Sequence, residues 1–554
     1  MSSPSSRRLA RLLAASPGAL ARPRAFGASS LAPAPSGSPP GSSARARAVD
    51  VCVVGGGVVG TALACALKAS PRTAHLSVLL ADRSPAPPPA FLDAPRRGVD
   101  ARVSTVTPSS AAFLRSLGAW DRVANTRRAR AFDAMQVWDA SFPGHVRYDA
   151  AELGELELGW VVENRVVQAA LAERAAELGV ETAAGWRLEA FRDGADRDGA
   201  LAEVDFATEG EAAAKGPTNP DSSSSPSSSA ALITTVRASL VVGADGASSR
   251  VRELARLRAP GWGYGQKAAV GTVACAGAFP PVAFQRFLPT GPVALLPVGE
   301  PDAATANVVW STTPEEADRL VGLGDEAFAR EVHDAFHSRR FQDEKNDASD
   351  GVIGGGGGFE DGFRAARRAF AANALRPLTE ALGAFGADAH RRGGLGGAVG
   401  LLGGAAFEPP PAIVGASGAR GAFPLRFRRA GSAIATRMAL VGDALGTVHP
   451  LGGQGQNLGL RDAKTLASAL GDACAAGGDV GGAGALRKYA DEAFRRNAPM
   501  AVGLDALARL FGSDAPEIQW ARAFGLAGVN TVGGVRRSIA RYAMGDGEWG
   551  GGRV

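Results

Sequence analysis

Apolar and polar positions fall into distinct blocks along this chain. Val49–Val54 is a short valine-rich run without alternation, the pattern of a parallel strand covered on both faces. Gly55–Gly60 breaks the run, and Thr61–Ala69 reads as a helix. Leu76–Ala81 is a second apolar run that ends in Asp82, and Pro85–Pro89 stops it. Together these predict a βαβ unit of about 30 residues. Asn164–Leu178 has helical periodicity through Val167, Ala170, Leu171 and Leu178. Leu240–Val242 and Arg437–Val441 read as further buried strands, and a helix is expected over Asn457–Leu470. Ala485–Phe511 and Glu517–Tyr542 are amphipathic helical stretches. Lys215–Ala230, Gly351–Gly358 and Gly393–Gly404 carry too little apolar surface to order themselves and are expected to be exposed insertions.

Composition changes this picture in three places. The 554 residues are too many for one core, and 45% hydrophobic with 21% charged residues is globular. Cys52, Cys65, Cys275 and Cys474 lack CxxC spacing, so neither a disulfide framework nor a cysteine metal site is expected. The longest apolar stretch, Val51–Leu67, contains four glycines and fits a strand and helix better than a membrane span. A net charge of +5 and a pI near 9.2 point towards nucleic acid at first sight. Residues 1–49, however, hold seven arginines and no acid, and taking those seven charges from +5 leaves −2 for residues 50–554. The folded part is near neutral, and no nucleic-acid partner is expected. The leading segment, arginine-, serine- and proline-rich, has the composition of an organelle transit peptide, expected over residues 1–48.

The candidate chemistry starts at Gly55-Gly56-Gly57-Val58-Val59-Gly60, a G-x-G-x-x-G between strand and helix. Gly55 permits a tight turn, Gly57 lets backbone approach a pyrophosphate, and Gly60 allows close helix–strand packing. The pyrophosphate then meets a helix N-terminus, where free N–H groups favour negative charge. Asp82, at the end of the second strand, is placed to accept from an adenosine ribose hydroxyl. That motif alone leaves NAD and FAD open. Two later motifs bear on the choice: Gly243-Ala244-Asp245-Gly246 after one strand, and Gly442-Asp443-Ala444 with His449-Pro450-Leu451-Gly452-Gly453-Gln454-Gly455-Gln456-Asn457 after another. A glycine-rich loop opening a helix presents fixed N–H donors and a positive dipole end, suited to negative charge developing on a reduced ring. For Gly442-Asp443 the competing structural reading is a helix N-cap. His449, with a Pro neighbour and no visible partner, reads as structural rather than as a general base.

In order and spacing these three motifs resemble the FAD-dependent aromatic hydroxylases of the para-hydroxybenzoate hydroxylase type. Arg102-Val103-Ser104-Thr105, Leu117-Gly118-Ala119-Trp120, Gln285-Arg286-Phe287-Leu288-Pro289, Leu295-Leu296-Pro297, Val309-Trp310-Ser311-Thr312 and Trp520–Asn530 look closest to the branch of that family in ubiquinone biosynthesis. The resemblance implies an α/β fold: a Rossmann-like FAD-binding domain, an interleaved mixed-sheet substrate domain and a C-terminal helical segment. The division expected is 49–258 and 437–475 for the FAD-binding domain, 259–436 for the substrate domain and 476–554 for C-terminal helices.

The family implies FAD as cofactor, with Asp443 at the ribityl chain and Asp245 and Gly246 near the phosphate and ribityl region. Arg102 and Asn164 would lie near the flavin, and Pro450, Gly452 and Gly453 beside its ring, Gly452 and Gly453 offering N–H groups to the pyrimidine edge. Gly442, Gln454, Gly455 and Asn457 complete the expected cofactor set with Gly55, Gly57, Gly60 and Asp82. Leu445 and Gly446 stand where the family commonly has alanine and histidine, and Gly452 where it often has alanine. The implied reaction is ring hydroxylation of a polyprenyl-4-hydroxybenzoate-type precursor by O2 through a C4a-hydroperoxyflavin. Electrons would come from NAD(P)H or from ferredoxin and ferredoxin reductase. The implied place is the matrix side of the mitochondrial inner membrane, peripheral and possible within a multi-enzyme complex, with a plastid or a non-catalytic scaffold as alternatives. Arg536, Arg537 and Arg541 beside Ile539 and Tyr542 suggest an interfacial or docking helix, against the alternative of an ordinary surface helix.

Overall fold

The computed structural model describes residues 47–88, 92, 99–140, 145–194, 201–208, 232–337, 407–513 and 515–545. Residues 1–46 of the expected transit peptide and the three expected insertions lie outside them, whereas Arg47 and Ala48, also expected in the transit peptide, open the first strand.

Arg47–Val54 is a central strand, flanked in parallel by Val78–Asp82 on one side and Leu232–Gly243 on the other. Glu181–Ala184 and Met438–Leu440 extend the parallel array outward. The valine run does not alternate because both its faces are covered. Val51 and Val53 pack beneath the helices Val58–Ala69 and Gln454–Ala475, through Leu63, Leu67, Leu460 and Leu466. Cys52 and Val54 face the opposite layer with Val204 and Phe206. The strand expected at Leu240–Val242 begins at Leu232, because its more polar first half pairs with Ala202–Thr208 at the sheet's margin. The helix expected from Asn457 begins at Gln454. All three glycine motifs leave the carboxyl ends of neighbouring parallel strands, where open α/β sheets place their ligand crevice.

A second sheet of eight strands is antiparallel throughout except where Val282–Leu288 runs parallel to Ala134–Asp139. Its long strands are Gly261–Cys275 and Ile413–Arg429. Ala134–Asp139 and His145–Asp149 belong to this sheet, although the sequence division put residues 49–258 in the first unit. Pairing across more than 140 residues leaves no local signature, so the interleaving is deeper than motif spacing suggests. A small sheet of Val103–Val106, Gly159–Glu163 and Arg130–Phe132 completes the strands described here.

Ala483–Phe511 crosses from one unit to the other. Leu486, Tyr489 and Ala493 join the first core, whereas Met500, Leu504 and Phe511 pack with Val137 and Phe287 of the second sheet. Phe287 and Phe511 stack at 3.7 Å. The stretch expected as one helix over Glu517–Tyr542 is two, Pro516–Thr531 and Gly533–Met544, broken where weak helix formers Gly533 and Gly534 follow Val532. Of the arginines on the last helix, Arg536 is buried and forks onto both oxygens of Glu152, whereas Arg537 and Arg541 are exposed. Among the described residues no helix is long and apolar enough to cross a membrane.

Candidate active site between the two sheets

The first glycine loop is pinned on both sides. Gly55 N–H donates to the Ala81 carbonyl at 2.8 Å, and Ala244 N–H donates to the Val54 carbonyl at 2.8 Å. A Cβ on Gly60 would lie 1.9 Å from the Gly55 carbonyl oxygen, so only glycine permits the helix to start this close to the strand. Gly57 differs: a Cβ there would meet nothing within 4 Å, leaving its backbone open to approach. It caps Val58–Ala69 without a side chain, so the helix's first N–H groups face the same opening. Asp82 receives Gly56 N–H at 2.6 Å and Ser84 N–H at 2.7 Å, one on each oxygen. Each oxygen keeps a lone pair that can take a hydroxyl.

The second and third motif loops are tied to each other by a residue that the sequence did not single out. Arg252, buried, donates to the carbonyls of Ala444 at 2.6 Å and Ala247 at 2.8 Å. Asp245 Oδ2 accepts Arg250 N–H at 2.6 Å and Val251 N–H at 3.1 Å, while its buried Oδ1 has no partner. Gly246 takes φ 83° in the turn between them. Gly442 abuts Val59 of the first helix and donates its N–H to Asp462 Oδ2 at 3.0 Å. Asn497 holds the other oxygen of Asp462 at 2.6 Å. Burial raises the Asp462 carboxyl to about 7, against the lowering pull of Gly442, Arg429, Arg461 and Asn497. Its only trace in the sequence is an acid on the apolar face of a helix.

Asp443 does not cap its short helical turn, which has no side-chain cap, so the N-cap reading is set aside. Its side chain opens into a cavity of about 860 Å³ between the two sheets. Deep in that cleft, desolvation holds its carboxyl above the usual range. Arg102, Asn164, Pro450, Gly452, Gly453 and Gly455 line the same cavity, with Ala247 and Ser248 next to Gly246. Gly55, Gly57, Gly60, Asp82, Asp245 and Gly442 stand outside its lining, in the loops behind it. The opposite wall comes from the second sheet, with Phe132 of the small sheet beside it, and is largely apolar through Met135, Ala283, Leu296, Val309 and Leu425.

Two expected cofactor residues bond within the protein, Asn457 through both ends of its amide and Gln454 through its nitrogen alone, its buried Oε1 having no partner among the described residues. Asn457 donates to the carbonyls of Thr105 at 2.8 Å and Gly453 at 3.2 Å, and its oxygen accepts Thr107 N–H at 3.1 Å. Gln454 is buried and donates to Gly452 and to Ala543 of the last helix, both at 3.3 Å. Gly453 N–H, expected to be open, donates to the Pro450 carbonyl at 3.0 Å. Gly453 adopts φ 62°, and a Cβ there would sit 2.5 Å from Thr105 Oγ1. His449 has partners that the sequence concealed. It packs edge-on against Tyr264 at 4.9 Å, accepts Leu451 N–H at 3.3 Å and approaches Gln266 Oε1 at 3.4 Å. Burial pushes its imidazole down to about 4, so it is neutral near pH 7.

The nucleotide side of the cleft fits a large polar ligand with both donors and acceptors. Buried Asn164 Oδ1, Asp245 Oδ1 and Gln456 Nε2 have no hydrogen-bond partner among the described residues, and buried polar atoms are ordinarily satisfied. Gly57 adds an open backbone at a helix N-terminus, the arrangement that accepts a phosphate.

Comparison with known proteins agrees with this geometry. The FAD binding domain family matches residues 48–350 and 410–501. The ubiquinone biosynthesis monooxygenase COQ6, mitochondrial, of Xenopus tropicalis is 32% identical over 506 residues, 91% of this chain and 94% of that protein. The Homo sapiens protein of the same name is 31% identical over 89% of this chain and 92% of its own length. The ubiquinone hydroxylase UbiL of Rhodospirillum rubrum is 30% identical, covering 92% and 93%. Among solved structures, p-nitrophenol 4-monooxygenase PnpA from Pseudomonas putida DLL-E4 superposes with a TM-score of 0.58 at 16% identity, over 91% of this chain and 99% of that one, a likeness of fold.

Proposed function

We infer the reaction from the family to which the chain belongs, the FAD-dependent monooxygenases built on the FAD binding domain. We propose that it hydroxylates the aromatic ring of a polyprenyl-4-hydroxybenzoate-type phenol in ubiquinone biosynthesis. One observation carries this reading: a single cavity has the loops of the second and third motifs on one side and an apolar sheet face on the other. A flavin and a greasy phenol need those two surfaces facing each other.

In this proposal the helix start at Gly57 holds the FAD pyrophosphate, and Asp82 takes a ribose hydroxyl. Asp443 accepts from the ribityl chain; Asn164 Oδ1 and Asp245 Oδ1 accept from further donors of the cofactor. Bound FAD would supply the reduction and activation of O2. The protein's own part is orientation, charge and dryness. Pro450–Gly453 and the start of Gln454–Ala475 present backbone N–H groups and a positive helix end to the ring's pyrimidine edge. Because Gly453 N–H is engaged by Pro450, that task falls to Gly452 and to the first helical turn. The apolar wall excludes water and seats the ring and the start of its tail.

The same reading places the protein in the mitochondrion, as the names of its relatives have it, at the matrix face of the inner membrane where a polyprenyl substrate resides. NAD(P)H or a ferredoxin couple would serve as reductant, and partners of a biosynthetic complex would dock outside the cleft. The experiment is turnover of FAD-loaded protein on a prenylated 4-hydroxybenzoate under 18O2, driven by NADPH alone or with ferredoxin and its reductase. A ring product carrying one 18O atom is expected. Oxidation of reductant with only hydrogen peroxide formed, for every such phenol tried, would refute the substrate class.

A further inference from the structure

The second sheet's side of the cavity is arranged in cross-strand rows. Gln285 stands opposite Ala294, Ala294 opposite Val309, and Val309 opposite Val270. All four residues face the cavity. Three are apolar and one is an amide. Gln285 is 8% exposed, and neither end of its amide makes a hydrogen bond with a described residue. An amide offers two donors and two acceptor lone pairs. The amide is open to the cavity, so its hydrogen-bonding capacity is left for whatever enters there. Nearby Gln136, also buried, instead exchanges two hydrogen bonds with the Glu408 backbone.

The position therefore points outward from the protein, to whatever occupies the cavity. Gln285 lies on the sheet wall, whereas Arg102, Asn164, Asp443 and the Pro450–Gly453 loop lie on the nucleotide wall. A group bonded to Gln285 is held on the far side from the motif loops. We propose that Gln285 is the specificity-determining residue for the ring's polar head. Its amide hydrogen-bonds the phenolic hydroxyl, while Ala294, Val309 and Val270 carry the apolar edge and the beginning of the tail. This rests on the phenol reading above. Without such a bond the ring could slide along an apolar row, since dispersion contacts are non-directional; one directional contact fixes which ring carbon is presented.

The test measures binding, not turnover. FAD-loaded wild type and Gln285→Leu are titrated with 3-geranyl-4-hydroxybenzoate and with its 4-methoxy analogue, following the visible absorption of the bound flavin. Wild type should bind the hydroxy compound roughly five- to tenfold more tightly than the ether, the size of one neutral hydrogen bond. Gln285→Leu should bind both within about twofold, with FAD content and thermal midpoint unchanged. Gln285→Asn, one methylene short, should lose the same preference. Ser311→Ala, which alters another polar side chain on that wall, should keep it. A Gln285→Leu protein that retains the wild-type preference overturns the proposal, as does one that can no longer hold FAD, which would make the residue structural. Wild type that responds to neither compound fails the phenol reading itself, a separate result.

Discussion

The backbone N–H of Gly442 donates to Asp462 Oδ2 at 3.0 Å, so the turn that carries Asp443 hangs from a carboxylate buried on the long helix. Asp462 is in turn fixed by Asn497 of the next helix. Burial raises its pKa from 3.8 to about 7. A folded-state pKa above the unfolded one means that the native protein binds more protons between those values. This group's contribution therefore weakens as pH rises from about 4 to about 7. Asp462→Asn keeps the shape and removes the titration. Relative to this variant, wild type should lose stability between pH 5 and pH 8, read from urea midpoints at both pH values. Equal differences at the two would show that Asp462 does not titrate there. The variant should also hold FAD less tightly, because an Asn side chain can turn a donor towards Gly442 N–H and loosen the turn.

Two glycines of one motif should fail in different ways. Gly60→Ala drives a Cβ to 1.9 Å from the Gly55 carbonyl oxygen, a backbone atom that cannot swing aside. Overpacking of this kind costs about 1–3 kcal/mol or more, so the variant should be poorly soluble with or without FAD. Gly57→Ala meets nothing within 4 Å and sits at φ −70°, which alanine adopts freely. Its apo form should melt with wild type, yet bind FAD roughly tenfold or more weakly, because the methyl occupies the phosphate's approach. Paired melting curves and flavin-fluorescence titrations separate the two failures. Unchanged FAD affinity in Gly57→Ala would place the pyrophosphate elsewhere.

His449 should not govern the pH profile. Its folded pKa is depressed from 6.5 to about 4 by burial, so the unfolded chain takes up the proton first on acidification. The stability that it contributes is complete above about 6.5 and is lost as pH falls towards 4. That trend opposes the one from Asp462 over much of the same window, and each appears clearly only against its own variant. His449→Gln should leave the pH dependence of hydroxylation between 6 and 8 unshifted. A profile that loses a limb near 6.5 would make the imidazole a proton carrier after all.

Arg522 joins the C-terminal helices to the second sheet. Its Nε lies 3.1 Å from Asp139 Oδ2, with both side chains under 5% exposed. Its Nη1 donates to the carbonyls of Leu510, Phe511 and Ser513, the orphan acceptors at the end of Ala483–Phe511. Arg522→Leu takes the cation from a buried carboxylate and three donors' worth of capping from a helix end. A loss of about 3–5 kcal/mol is expected from the urea midpoint. Arg522→Lys should recover only part of it, since an ammonium lacks the guanidinium fork.

Much of the site could be read along the chain because it is built from backbone. Gly55, Gly57 and Gly60 are required by a turn, an approach and a packing distance within six residues, so their spacing, with a strand before, a helix after and Asp82 beyond, points to a nucleotide. The strands before them announce themselves as unalternating apolar runs, because both faces of a parallel sheet are covered. Asp82 follows from its place at a strand end, whereas Asp245 and Asp443 come from the family resemblance of the motifs that hold them. What folding decided is whatever depends on neighbours distant in sequence. Asn457 and Gln454 belong to the same motif as Gly452, yet Thr105 and Thr107 hold Asn457, and Gly452 and Ala543 take the Gln454 nitrogen. Arg252 and Asp462 act only because Ala444 and Gly442 arrive beside them. Gln285 acquires its setting only when three other strands lay Ala294, Val309 and Val270 alongside it. Backbone constraints are local and leave a mark in the residues that obey them. Side-chain partnerships are set by packing between remote segments, and nothing in the run of residues around either partner records them.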